Sequence, residues 1–255
     1  MPATSRPTDL ADAQASAEWA IAQLPSFAQR IGQWVAGNVD VRRVQMPSPA
    51  THDRIVAIPK APLPLSFNVE IGAYIGALRA SLDILATTLA ARFDVPDDGD
   101  RRARISFPIA SARALRAGYL EGNELVKRLP AAERAIMEGL KPYEGGSPPL
   151  WLLHQLDIVR KHRRLLAIEL SPSILSMQGI GALAFEPSAL APRLSADEEA
   201  ELGLIRAIAP DCEFKITPQV LIDEVDLLGG AKDAVGVVHE LGRHCLAIIG
   251  LFQRR

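Results

Sequence analysis

Apolar residues recur at three- and four-residue steps near the start of the chain: Leu10, Ala13, Ala17, Ile21, Leu24, Ala28, Ile31 and Val35. That spacing draws one apolar stripe along a helix. Thr8 is a suitable N-cap, Pro25 predicts a kink or break inside the helix, and Gly37-Asn38 supplies a stop. Two short alternating runs follow, VDVRRV from Val39 and RIVAIP from Arg54, and they predict a hairpin with a long polar loop. The segment APLPL then reads as an extended linker. From Val69 to Phe93 the seam Ile71, Ile75, Leu78, Leu82, Leu85 and Leu89 predicts the longest uninterrupted helix.

The run Pro96-Asp97-Asp98-Gly99-Asp100 ends that helix, and RRARISFPIA carries the chain on as a short extended piece. Helices are predicted near Ala110–Leu129 and Ala131–Leu140, then a loop at KPYEGGSPP, then a helix from Trp151 to about Arg164. LLAIEL (165–170) either continues that helix or becomes a strand. Strands and loops are expected from Ser171 to Leu194, with further strands at EFKI and Val220–Leu228. Gly229-Gly230 breaks the pattern before a final helix, Ala231–Phe252, with Ala234, Val238, Leu241, Cys245, Ile248 and Phe252 on one stripe. This order predicts an α+β fold, helix-dominated, with long amphipathic helices packed with an antiparallel sheet. Residues 1–8 are expected to be a tail and residues 9–255 a single domain.

Composition narrows the function classes without naming one. The 255 residues are 48% hydrophobic and 23% charged, within the globular range. A net charge of −2 gives no overall field for nucleic acid or anionic membrane, so a polyanion site would be a local patch. Cys212 and Cys245 are too few for a disulfide framework and are expected as reduced, partly buried thiols. The start of the chain carries no apolar signal core, and no apolar run approaches the roughly 20 residues of a membrane span. A cytoplasmic location with no membrane partner is the expectation.

Arg163 stands out for chemistry. Leu152, Leu156, Val159, Leu166 and Leu170 form one seam if the Trp151 helix runs that far, and Arg163 then falls in its middle with His162 at its edge. A buried arginine needs an acidic partner or a bound anion, and its loss is expected to cost on the order of 3 kcal/mol. Arg79 and Asp83, four apart on the Val69 helix, flank that helix's seam, and Gly72 and Gly76 leave room for a neighbouring helix. Packing the two helices together gathers Arg79, Asp83, His162 and Arg163 into a cluster for anion binding, acid–base work or structure. The run RKHRR (160–164) offers four cations and a histidine, which on a helix point in different directions. HELGRH (239–244) is not a metalloprotease motif: its histidines are five apart, about 140° around the helix. No metal or cofactor is expected.

LRASLDILATTLA, then FPI, LKPY and LWLLHQLDIVRKHRRLL resemble an uncharacterised group of bacterial proteins with an L-R-x-x-L-D-H-L helix, an F-P-I segment and a D-K-H-R-like helix in that order. The resemblance covers roughly Val39 to Leu166. The first motif is also similar to the Arg-x4-6-His signature of HEPN-type helical ribonucleases, in which Arg and His face RNA in a dimer. Arg79 matches the arginine; Ile84 stands where the histidine belongs, and Arg160 stands where the bacterial group has Asp. The resemblance therefore implies a bacterial accessory or interaction protein without catalysis, its polar cluster structural or holding a small anion. One alternative is a HEPN-like metal-independent ribonuclease using Arg79, Asp83 and His162. Another is a small-molecule enzyme or binder with its pocket between helices and sheet. Self-association or an unknown protein partner fits the first reading, and nucleic acid fits the second.

Overall fold

The computed structural model describes residues 10–93, 105–178, 185–188, 193–194, 199–206 and 213–253. Helix α1 runs from Ala11 to Asn38 and buries Ala13, Ala17, Ala20, Leu24, Phe27, Ile31 and Val35. Pro25 does not break it. The proline sits on the exposed side, where no core packing resists the local adjustment it demands. Thr8 lies outside the described residues. Strands β1 (Val39–Val44) and β2 (His52–Pro59) form the antiparallel hairpin that alternation predicted, with Val39 opposite Pro59 and Val44 opposite Arg54.

Helix α2 begins at Leu65, directly after Pro64, and continues to Arg92. Most of the region expected as one helix from Ala110 to Leu129 is broken into three short turns of helix: α3 (Ala112–Arg116), α4 (Tyr119–Gly122) and α5 (Glu124–Arg128). Gly118 takes a positive φ of 73°, and Asn123 turns its side-chain oxygen onto the amides of Leu125 and Val126, starting a new helix. Within α6 (Ala131–Gly139), Arg134 donates to the carbonyls of Val126, Lys127 and Leu129, covering the open end of α5.

Helix α7 spans Pro148–His162, with both prolines in its first turn, where their missing N–H groups cost nothing. LLAIEL resolves as a strand from Ile168: β3 covers Ile168–Gln178. The remaining elements are β4 (Phe185–Pro187), β5 (Ala200–Arg206), β6 (Glu213–Ile222), the helical turn α8 (Val225–Leu228), β7 (Lys232–Asp233) and α9 (Ala234–Leu251). The strand expected over Val220–Leu228 is thus half strand and half helical turn. Two antiparallel sheets result, ordered β1-β2-β5-β4 and β3-β6-β7. The helix-dominated α+β reading is correct.

The helical layer is α1, α2 and α9 packed on one another. Phe27 of α1 stands edge-on to Phe67 and Tyr74 of α2, at ring separations of 5.9 Å each. Where α9 meets α1, a Cβ on Gly242 would come within 2.6 Å of the Ile21 side chain, so a larger residue there would have to displace Ile21. Cys245 is buried in this layer, and burial pushes its thiol up to about 12, which leaves it unreactive. Cys212 lies outside the described residues. Among the described residues α9 is the one helix long and apolar enough to cross a bilayer by length and composition, with a mean hydropathy of 1.3. Its buried stripe of Ala234, Val238, Leu241, Gly242, Cys245, Ile248 and Ile249 has the pattern of a core helix.

Candidate functional site

Arg79 and Asp83 do meet, and what they hold is backbone. Arg79 Nη1 donates to Asp83 Oδ1 at 2.5 Å, and Arg79 Nη2 donates to the Phe107 carbonyl at 3.1 Å. The Phe107 amide donates to the same Asp83 Oδ1 at 2.9 Å. The pair thus offers an extended segment one acceptor and one donor, as a neighbouring strand would. The FPI segment is fixed by this clamp, with Phe107, Ile109 and Ala110 buried beneath it. The Arg79 side chain is 7% exposed and that of Asp83 34%, so the arginine is sealed while the carboxylate reaches the surface.

Helices α2 and α7 pack together as Gly72 and Gly76 predicted, but the arginine that enters is Arg160. Its Cδ would lie 3.7 Å from a Cβ on Gly72, and a Cβ on Gly76 would overlap its guanidinium. Asp157, with a side chain 7% exposed, accepts from Arg160 Nε at 2.8 Å, from Arg160 Nη2 at 2.7 Å and from Lys161 Nζ at 2.7 Å. His154 lies one turn earlier, beside Trp151 at 5.7 Å between ring centroids. Burial holds the His154 imidazole below its ordinary range; Arg79 and Lys161 push the same way, while Asp157 and Asp83 oppose them.

The expected places of His162 and Arg163 are corrected. Helix α7 ends at His162, and the backbone of Arg163 is the helix cap, so the seam that was to bury Arg163 stops short of it. Both side chains are exposed. The RKHRR run divides accordingly. Arg160 turns inward, Lys161 pairs with Asp157, and Arg164 forms a two-pronged bond to buried Glu224 at 2.8 Å on each oxygen. Glu224 also accepts from the Ala167 amide at 2.9 Å, which ties the start of β3 to the end of β6. Close by, Arg193 bridges Glu169 at 2.6 Å and Asp223 at 3.2 Å, and burial raises the Glu169 carboxyl.

A second candidate lies on the other side of α7. A cleft of about 580 Å³ opens between α7, α8 and α9, within the size range of small-molecule sites. Its walls are largely apolar, including Pro148, Leu152, Leu228 and Leu241, with Glu240, Arg243 and His244 as the polar members. His244 Nε2 is covered and has no hydrogen-bond partner, and burial holds its ring below the ordinary histidine range. The two histidines of HELGRH therefore differ, His239 being exposed and His244 part of this wall. Among the described residues, no group of three or more His, Cys, Asp or Glu is placed to hold a metal.

His154, Asp157 and Arg160 are the site residues that sequence reasoning missed. Their signal was present as an acid followed three and four residues later by cations, on the helix opposite two glycines. Comparison with family models, with curated proteins and with solved structures found no match to this chain.

Proposed function

We propose that the protein is a non-catalytic accessory or interaction protein whose Arg/Asp/His cluster is structural. The observation that carries this reading is the clamp. Arg79, the residue that would have to meet a phosphate or a developing charge, already bonds Asp83 and the Phe107 carbonyl and is sealed from solvent. A general base must reach its substrate proton directly or through one water. His154 stands near this pair, but His162, the substitute for the missing histidine in the ribonuclease alternative, is exposed at the end of α7. The test is metal-free incubation with labelled single-stranded RNA, comparing the wild type with Asp83→Asn and His154→Gln. The expected result is no cleavage by any of the three. Cleavage by the wild type that both folded variants lose would replace this reading with the metal-independent ribonuclease.

The apolar cleft and the unmatched His244 Nε2 favour a second reading, a binder of small, mostly apolar molecules. A neutral probe such as 4-propylphenol is expected to raise the melting temperature of the wild type but not of Leu241→Trp, whose larger side chain fills the cleft. No rise in the wild type removes this reading.

A further inference from the structure

The cleft between α7, α8 and α9 carries a chemical signature beyond its apolar walls. From α7 and α8 it is lined by Pro148, Pro149, Leu152, Leu227 and Leu228, none of which titrates. The titratable lining groups Glu240, Arg243 and His244 all come from α9. Glu240 and Arg243 are exposed, of opposite charge and three residues apart, which makes them neighbours on the helix surface. Their fields largely cancel over the cleft, so it favours neither cations nor anions. An ion would also exchange its hydration for apolar walls at high cost. The occupant that suits these walls is neutral.

His244 adds one polar requirement. Its Nε2 is covered and has no hydrogen-bond partner, whereas Nδ1 is not covered. Burial holds the ring below the ordinary histidine range, so near neutral pH it is uncharged and has one proton for its two nitrogens. That proton belongs on Nδ1, because a covered N–H without a partner is harder to tolerate than a covered lone pair. Nε2 is then a bare acceptor in an apolar wall, which an incoming donor satisfies and a hydrocarbon leaves stranded. Such a bond forms away from water, where it is stronger than at the surface. Amines and carboxylic acids are charged near neutral pH and do not suit these walls. An amide would strand its own carbonyl there. The donor that remains is a hydroxyl.

We infer that the cleft binds a neutral molecule with an apolar body and a single hydroxyl, an alcohol or a phenol, whose O–H donates to His244 Nε2 as the wall side chain over that nitrogen turns aside. This deepens the small-molecule reading above, and rests on it, by naming the polar group that the ligand carries. The volume of about 580 Å³ accommodates a substituted ring or a chain of comparable bulk.

The test compares 4-propylphenol with 4-propyltoluene, which has a methyl group in place of the hydroxyl, on the full chain near neutral pH. Affinities are read from the rise in melting temperature with ligand concentration. The ratio of phenol to toluene affinity is expected to be roughly tenfold higher in the wild type than in His244→Phe, which keeps a flat ring but has no acceptor. Comparing the ratios cancels the greater hydrophobicity of the toluene. A second readout needs no variant. The nitrogen NMR shifts of wild-type His244 are expected to place its proton on Nδ1, and the Nε2 resonance to move with the phenol but not with the toluene. An equal ratio in wild type and folded His244→Phe, a proton on Nε2, or an Nε2 resonance that the phenol leaves unmoved would each overturn the inference. Each of these leaves the apolar-binder reading standing as long as the wild type binds either compound. Binding of neither removes both.

Discussion

Helix α7 has two sides built on opposite principles. Toward α2 it presents charge, and every charge there is matched: Asp157 takes donors from Arg160 and Lys161, and the Arg160 stem lies in the groove left by Gly72 and Gly76. Toward α9 it presents prolines and leucines across an open cleft, and the one buried histidine nitrogen there has no partner. Buried charge tolerates no loss of a partner, because the group left behind is stranded in a poor solvent. Apolar lining tolerates much more. The charged seam is thus a fastening, and the cleft is a place where something can be changed.

The sharpest way to break this comparison is Asp157→Ala. It leaves Arg160 without its carboxylate while Lys161 turns to solvent, and it is expected to cost about 2 kcal/mol, read as a lower urea midpoint with an unchanged slope. Asp157→Asn, which keeps part of the hydrogen bonding, should lose less. Gly76→Ala comes next: the added methyl displaces the Arg160 guanidinium, at about 1–2 kcal/mol. A Gly76→Ala protein as stable as the wild type would mean that the groove is not what holds the arginine.

A smaller effect separates the two sides by pH. His154 on the seam and His244 on the cleft are both held below the ordinary histidine range. The unfolded chain therefore binds protons first, so stability is complete above about pH 6.5 and falls as pH drops below it. Glu169, raised by burial, acts in the opposite sense in the acid range, and it cancels when variants are compared with the wild type. His154→Gln and His244→Gln should each flatten the fall in a series of urea titrations. A slope that both variants keep would dissociate it from these rings. The smallest expected effect is that of Arg163→Ala, within about 0.5 kcal/mol. That is far from the 3 kcal/mol that burial in the seam implied, because the side chain is exposed.

The difference between those two figures marks where the sequence stopped being readable. Local periodicity placed α1, the hairpin, α2 and α9, and the two glycines on α2 announced that another helix would come close. The identity of the arginine that enters depended on where α7 ends. Apolar residues continue at Leu166 and Leu170, and nothing in the 3.6-residue rhythm says that they belong to a loop and a strand. The end is set by contacts distant in sequence, with Arg164 and Ala167 both held by Glu224 and Asn68 donating to the Leu166 carbonyl at 2.8 Å. The FPI clamp joins residues 24 apart, and the cleft is assembled from α7, α8 and α9. Such sites are invisible to any argument that looks along one helix at a time.

The clamp on Phe107 also bears on how the molecule opens. The segment around Phe107 belongs to neither helix nor strand, and a loop of that kind ordinarily exchanges its amide protons through small, frequent openings. Here the Phe107 amide is held by a carboxylate in the body of α2, and the ring beneath it is 1% exposed. Its proton leaves when the clamp opens, and both the carboxylate and the guanidinium of that clamp are anchored on α2. In a hydrogen-exchange experiment this irregular stretch should keep time with the central helix, a loop by shape and a part of the core by clock.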